Sequence, residues 1–101
     1  MGLLNFLFGN KDGAIQGFTK RDAVILDVRT QKEWDAGHIE GAKHIVLQEI
    51  SANVSEIKKW NKPVITCCLS GGRSEQAATI LKQNGIEAMN GGGWKSLQQK
   101  L

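Results

Sequence analysis

The sequence predicts an α/β domain with a mainly parallel sheet of about five strands and helices on both faces. Two short apolar runs, at residues 23–28 and 64–67, are rich in β-branched side chains, as strands buried on both faces are. Segments with helical spacing of apolar residues alternate with the strand-like runs, which is typical of parallel α/β sheets. Binding sites in such sheets lie at the carboxyl ends of strands, so the residues that follow these runs are candidates for function.

Length and composition narrow the possible classes of protein. The 101 residues suffice for one hydrophobic core, so we expect a single domain over residues 1–101. Apolar residues make up 41% of the chain, and the net charge of +3 is scattered instead of forming a basic stripe with interleaved aromatic residues. Nucleic acid binding is therefore not indicated, and no apolar run approaches the length of a membrane span. We expect a cytoplasmic monomer.

The first thirteen residues are expected to be an N-terminal extension. Residues 1–8 are apolar but lack the basic start and cleavage site of a signal peptide, so a short helix packed on the domain is expected. The cluster at residues 9–13 is rich in turn formers and predicts a turn. Residues 14–20 could then form a short helix.

The order of the remaining elements follows from their boundary signals. Thr30 with Glu33 predicts a capping box and a helix from about residue 31, and Arg29 is spaced to pair with Glu33. The other predicted elements are a strand at 43–46, a helical stripe at 47–60, a helix at 74–84, a strand at 86–89, a glycine turn at 91–93 and a terminal helix from about residue 94.

The loop from Cys68 to Arg73 carries the clearest chemical signal. It joins the second apolar strand to the clearest helix, and four residues separate the cysteine from the arginine. A helix start favours negative charge, and such surroundings lower a thiol pKa from about 8.5 into roughly the 3.5–7.5 range. Because the thiolate is the nucleophilic form, we predict covalent catalysis by Cys68, the alternative being a buried structural thiol.

The neighbouring Cys67 is predicted to have a different role. Adjacent Cα atoms lie about 3.8 Å apart, below the usual disulfide range of about 4.4–6.8 Å, so no bridge is expected. Strand alternation points Cys67 away from Cys68 and into the core, with a redox role as the alternative. His38 and His44 lie far from both cysteines and lack ligand spacing, so no metal site is predicted, and His38 is expected to be structural.

Four segments, in order along the chain, resemble the rhodanese domain family. Residues 24–30 (VILDVRT) are similar to its strand ending in Asp-Val-Arg, and residues 33–42 (EWDAGHIEGA) to its glycine–histidine–isoleucine segment. Residues 68–74 (CLSGGRS) resemble its active-site loop, and residues 92–94 (GGW) its closing glycine–tryptophan region. One segment alone would be a weak match, but four in the correct order are specific.

The resemblance implies transfer of sulfane sulfur without a metal or an organic cofactor. The Cys68 thiolate would attack a small anionic donor such as thiosulfate, a polysulfide or a persulfide, and would itself become a persulfide. A thiol or a cyanide-like acceptor, which could belong to a protein, would then remove the sulfur. The backbone N–H groups of the loop would form an anion-binding nest around the sulfur. The loop residues assigned to this site are Leu69, Ser70, Gly71, Gly72, Arg73 and Ser74.

One residue departs from the family pattern, and three others are predicted to support the loop or the site. Leu69 stands where the family often has a cation, which favours a polysulfide, a persulfide or a protein donor over thiosulfate. We predict that Arg73 braces the loop, for example through Asp27, and that Asp27 and Arg29 support the site from the neighbouring strand. Two other functions stay open: a non-catalytic or protein-partnered sulfur-relay module, and a cysteine phosphatase or arsenate reductase, whose loops have one residue more.

Overall fold

One parallel sheet organises the part of the chain that the structure describes. The computed structural model describes residues 10–101, so the helix expected over residues 1–8 lies outside it. The described strands follow the order β2-β1-β3-β4 across the sheet. They are β1 (Val24–Asp27), β2 (Lys43–His44), β3 (Val64–Cys68) and β4 (Ala88–Gly93). The predicted α/β class and parallel sheet are confirmed, with four described strands instead of about five.

Five helices surround the sheet within residues 10–101. They are α1 (Asn10–Lys20), α2 (Gln31–Ala36), α3 (Val54–Lys59), α4 (Gly72–Gln83) and α5 (Trp94–Gln98). The predicted turn at residues 9–13 is wrong for its described part, because α1 already begins at Asn10. The predicted helical stripe over residues 47–60 is divided into two 3₁₀ turns, Leu47–Glu49 and Ser51–Asn53, followed by α3.

The sheet separates two hydrophobic clusters. Alternation along β3 points Val64 and Cys68 into one cluster, and Ile65 and Cys67 into the other. The cluster on the Cys68 side contains side chains of α3 and α4, and the cluster on the Cys67 side contains side chains of α1 and α5. All five residues of β3 are buried, as expected of an inner strand with helices on both faces.

Strand β4 lies later in the sequence than predicted. It covers Ala88–Gly93, so the three glycines at 91–93 belong to the strand and not to a turn. A β-carbon on Gly91 would lie 2.7 Å from Ile65 Cγ2, and one on Gly93 would lie 2.8 Å from the Leu69 carbonyl oxygen. The glycines therefore let β4 approach β3 and its following loop more closely than residues with side chains could.

Helix α2 begins as its sequence predicts. The Thr30 hydroxyl accepts the backbone N–H of Glu33 at 3.2 Å, and the Glu33 carboxylate accepts the backbone N–H of Thr30 at 2.9 Å. These reciprocal bonds form the predicted capping box, and Gly37 follows the helix as its C-cap. The capping box fixes the Glu33 carboxylate at the start of α2.

Candidate active site

The loop after β3 encloses Cys68 at the carboxyl edge of the sheet. The strand ends at Cys68 and α4 begins at Gly72, so the chain reverses its direction over only three residues. Gly71 has φ +109°, a backbone angle that favours glycine, and a β-carbon there would lie 3.4 Å from the Cα of Gly92. The tight turn directs the start of α4 toward Cys68, whose exposed fraction is only 1%.

Three hydrogen bonds converge on the sulfur atom of Cys68. The backbone N–H of Gly71 donates to Sγ at 3.0 Å, and Ser74 donates through its backbone N–H at 3.4 Å and its hydroxyl at 3.3 Å. Burial acts to raise the pKa of the thiol and is the largest single influence. Hydrogen bonds from Ser74, Gly71 and Ser70 together outweigh it, so the pKa of Cys68 lies below its ordinary value. The loop therefore stabilises the thiolate form of Cys68.

Removing the Ser74 hydroxyl should make Cys68 less reactive at neutral pH. This hydroxyl is the largest of the hydrogen-bonding influences that lower the thiol pKa, so Ser74→Ala should raise that pKa. We expect several-fold slower alkylation by iodoacetamide at pH 7, and a smaller difference at high pH, where both thiols are ionised. Alkylation rates measured from pH 5 to 10 test this expectation. Identical profiles for the two proteins would show that the hydroxyl does not stabilise the thiolate.

Asn90 on β4 is a site residue that the sequence reasoning did not identify. Its Oδ1 lies 2.7 Å from Ser74 Oγ, whose single proton is donated either to this oxygen or to the Cys68 sulfur. Oδ1 also accepts the backbone N–H of Gly92 at 2.9 Å, while Nδ2 donates to the Gly71 carbonyl at 3.0 Å. These contacts join β4 to the end of the Cys68 loop and to the first turn of α4. An asparagine directly before paired glycines was the available signal, since Asn side chains commonly bond the backbone two residues on.

Arg73 braces the loop, but through a different partner from the predicted one. Its guanidinium donates two hydrogen bonds to the Glu33 carboxylate, at 2.8 and 3.0 Å, and not to Asp27. Hydrogen bonds from Arg73 and then from Thr30 lower the pKa of Glu33 to about 2, so the carboxylate is charged at neutral and mildly acidic pH. Glu33 is held by its capping box, and it is therefore a fixed partner to which Arg73 ties the start of α4.

Asp27 and Arg29 form a buried pair on the other side of the sheet. The Arg29 Nη2 lies 2.7 Å from Asp27 Oδ2 and 2.7 Å from the Gly37 carbonyl oxygen, and its guanidinium stacks 4.7 Å from the Trp94 ring centroid. The predicted pairing of Arg29 with Glu33 is wrong, because the Arg29 guanidinium binds the Asp27 carboxylate instead. The pair links β1, the end of α2 and α5, and no hydrogen bond in the described part of the chain joins it to the Cys68 loop.

Cys67 is adjacent in sequence but lies in a different environment. It is fully buried in the cluster with Ile15, Ile65 and Leu97, on the opposite side of the sheet from Cys68. Burial, with the nearby Asp27 carboxylate as the next cause, raises the pKa of Cys67 to about 12. This thiol is neutral and inaccessible at physiological pH, as its predicted role in the core requires, and both cysteines are free.

Both histidines stack on one indole, that of Trp34. The His38 ring stacks on Trp34 with centroids 3.5 Å apart, and its Nδ1 lies 2.8 Å from the Trp34 carbonyl oxygen. His44 stacks on the same indole at 4.8 Å. These contacts agree with a structural role for His38.

The outer side of the loop is open to solvent. Leu69 is 61% exposed, and Ser70 and Gly72 are exposed beside it. Two surface cavities, of about 230 and 420 Å³, are lined by other residues and not by the loop. The Cys68 sulfur is thus recessed within a loop whose outer side carries an exposed apolar side chain.

Comparison with known proteins identifies the family. Residues 11–100 match the family model described as "Rhodanese-like domain". The chain belongs to the rhodanese-like family. No helix within residues 10–101 is long and apolar enough to cross a membrane.

Relatives agree with this assignment. The thiosulfate sulfurtransferase GlpE of Pseudoalteromonas translucida is 36% identical over 76 residues, which are 72% of this chain and 71% of GlpE. Bacillus subtilis YqhL is 36% identical over 83 residues, which are 80% of this chain but only 65% of YqhL. A structure of a rhodanese with anions from E. coli superposes with a TM-score of 0.65 and 31% identity, over 72% of this chain and 88% of that one. Sulfur transfer is therefore supported at the level of the family.

Proposed function

We propose that this protein is a sulfurtransferase that carries sulfane sulfur as a persulfide on Cys68. The observation that carries the proposal is the convergence of three hydrogen-bond donors on the Cys68 sulfur, inside a loop with four residues between cysteine and arginine. The same donors can stabilise the terminal sulfur of a persulfide, which is also anionic. A second support is the likeness to GlpE, which is named a thiosulfate sulfurtransferase.

The first half of the proposed reaction loads the cysteine. The Cys68 thiolate attacks the outer sulfur of a donor such as thiosulfate, and the sulfur–sulfur bond of the donor breaks. Sulfite leaves with the bonding electron pair, and Cys68 becomes a persulfide whose terminal sulfur carries the negative charge. This step requires no proton, metal or organic cofactor. The thiolate and the thiosulfate dianion together carry the same total charge as the persulfide anion and the sulfite dianion that they form.

The second half returns the cysteine to its thiolate form. A nucleophilic acceptor, such as cyanide or a thiolate, attacks the terminal sulfur of the persulfide. The sulfur–sulfur bond breaks, and the electron pair returns to Cys68. The product is thiocyanate or a new persulfide on the acceptor, and the Gly71 and Ser74 donors again hold the thiolate. We place this chemistry in a reducing cytoplasmic setting, which would keep both cysteines free.

One observation favours a protein as the acceptor of the sulfur. Leu69 directly follows the nucleophile and is 61% exposed, whereas Cys68 itself is 1% exposed. An apolar side chain beside a recessed sulfur offers a contact for a partner that presents a thiol on an extended segment. The acceptor would then be another protein, and the domain would act as a sulfur relay.

Parallel assays separate the proposed function from phosphatase chemistry. A phosphatase-type loop has one residue more between its cysteine and arginine, and the shorter loop here forms a smaller cradle. We expect thiocyanate formation from thiosulfate and cyanide, and no release of phosphate from an aryl phosphate. Phosphatase activity that depends on Cys68, without thiocyanate formation, would contradict the proposal.

A further inference from the structure

The residues of the Cys68 loop offer no unpaired cation to an anionic donor. Arg73 is the only basic residue in the segment 68–74, and its guanidinium is engaged by Glu33 at 2.8 Å. Arg29 is engaged by Asp27 at 2.7 Å and lies on the other side of the sheet. Leu69 is exposed and uncharged. A cation for a donor such as thiosulfate must therefore come from a different element.

Helix α1 brings a lysine to this edge of the sheet. Helix α1 ends at Lys20, and the next residue, Arg21, pairs with Glu87 at 2.6 Å. Because Glu87 directly precedes β4, the end of α1 lies at the amino edge of the strands. Its start lies at the carboxyl edge, where Lys100, beyond α5, pairs with Asp12 at 2.8 Å. Lys11 is thereby placed at the same edge of the sheet as Cys68.

The Lys11 ammonium lies against the backbone that supports the loop. Its Nζ is 3.3 Å from the position that a β-carbon on Gly92 would occupy. Gly92 in turn packs on Gly71, whose N–H group donates to the Cys68 sulfur. Lys11 is exposed, and no ion pair joins it to any residue of the described segment 10–101. Its charge is therefore available to a ligand at the loop.

We propose that Lys11 is the specificity-determining cation that attracts and orients a dianionic sulfur donor at Cys68. This inference rests on the proposed function and names the class of donor: a thiosulfate-like dianion whose outer sulfur faces Cys68 and whose sulfonate end faces Lys11. When the thiolate takes the outer sulfur, the bonding electron pair leaves with sulfite, which is also a dianion. The ammonium therefore favours the donor before transfer and the leaving group after it.

Kinetics with two donors of different charge test the role of Lys11. The variant Lys11→Met keeps an unbranched side chain of nearly the same length and removes its charge. We expect KM for thiosulfate to rise about threefold to fivefold, the range of a partly exposed ion pair, while kcat changes little. With methanethiosulfonate, a monoanion that gives methanesulfinate as leaving group, the rise should be smaller. Both effects should shrink at 0.5 M salt, because salt screens exposed charges.

Two further variants complete the kinetic experiment. Lys20→Met makes the same charge change at the far end of α1 and should leave both KM values unaltered. Adding Leu69→Lys to Lys11→Met should restore part of the affinity for thiosulfate, by placing a cation on the loop itself. Equal effects of Lys11→Met and Lys20→Met, or equal effects on the two donors, would overturn the proposal.

Alkylation of Cys68 separates this inference from the proposed function. Iodoacetate is an anion and iodoacetamide is neutral, so the ratio of their rates reports the potential at the sulfur without any sulfur transfer. Lys11→Met should lower that ratio about twofold or more at low salt, and Lys20→Met should not. If no variant transfers sulfur but the ratio falls only in Lys11→Met, the cation role holds and the sulfurtransferase assignment fails. An unchanged ratio in an active enzyme would reject the role of Lys11 alone.

Discussion

Cys68→Ala should abolish the transfer of sulfur from thiosulfate to cyanide. The variant keeps the loop but removes the only thiol that its N–H groups hold, and no other described thiol is accessible. We expect kcat/KM to fall by at least about a thousandfold, as for the loss of a covalent nucleophile. Thiocyanate formation, measured under identical conditions for both proteins, gives the result.

The adjacent cysteine provides a matched control. Cys67→Ala makes the same chemical change one residue earlier, in a side chain that faces the opposite hydrophobic cluster. We expect this variant to lose some stability, since a buried sulfur is removed, and to retain its turnover when assayed well below its unfolding temperature. Retained activity in Cys68→Ala, or equal loss in the two variants, would show that Cys68 is not the nucleophile.

Gly91→Ala should destabilise the fold strongly for a change of one methyl group. A β-carbon at this position would lie 2.7 Å from Ile65 Cγ2, 2.9 Å from Leu97 Cδ2 and 2.9 Å from the Thr66 carbonyl oxygen. The oxygen is backbone of the inner strand β3 and cannot move without shifting the start of the Cys68 loop. We expect the free energy of unfolding to fall by roughly 1–3 kcal/mol or more, the cost of overpacking a filled core. Urea denaturation measures it.

Gly17→Ala is the corresponding control for this prediction. Gly17 lies inside α1, is exposed, and would have no atom within 4 Å of an added β-carbon. Alanine is the better helix former, so this variant should be more stable by about 0.5–1 kcal/mol. If Gly91→Ala matched Gly17→Ala in sign and size, the close approach of β4 to β3 would be refuted.

Local sequence signals predicted the elements around the site well. The apolar β-branched runs led to β1 and β3, and the Thr30–Glu33 box led to the start of α2, because these signals act over a few residues. The position of Cys68 between a strand and a helix also follows from local pattern. The lowered pKa of its thiol agrees in direction with the expectation from that position, although the structure adds a side-chain donor, Ser74, as the largest of the favourable influences.

Partners distant in sequence could not be predicted in the same way. Glu33 satisfies its own helix end and also binds Arg73, 40 residues later, and only the packing of α2 beside the loop reveals this second role. Asp27 was predicted as a possible partner of Arg73, but the guanidinium that binds it belongs to Arg29, only two residues away in sequence. Asn90 reaches the loop through β4, and Lys11 reaches Gly92 through α1; the placement of both elements depends on the whole sheet.

The glycines at 91–93 show why β4 was misplaced. In sequence, three glycines indicate a flexible turn, since glycine is poor in strand interiors. In the structure they are the residues that fit where β4 passes Ile65, the Thr66 carbonyl and the Leu69 carbonyl. The steric requirement comes from the neighbouring strand and loop, which local pattern does not include.

Peptide mapping by mass spectrometry tests the central claim most directly. The protein is treated with thiosulfate without reductant, and peptides are then mapped at low pH. We predict an added mass of about 32 Da, one sulfur atom, on Cys68 and not on Cys67, and its removal by cyanide with formation of thiocyanate. An unmodified Cys68 after treatment with thiosulfate and with a polysulfide, or sulfur carried by Cys67 instead, would contradict the account.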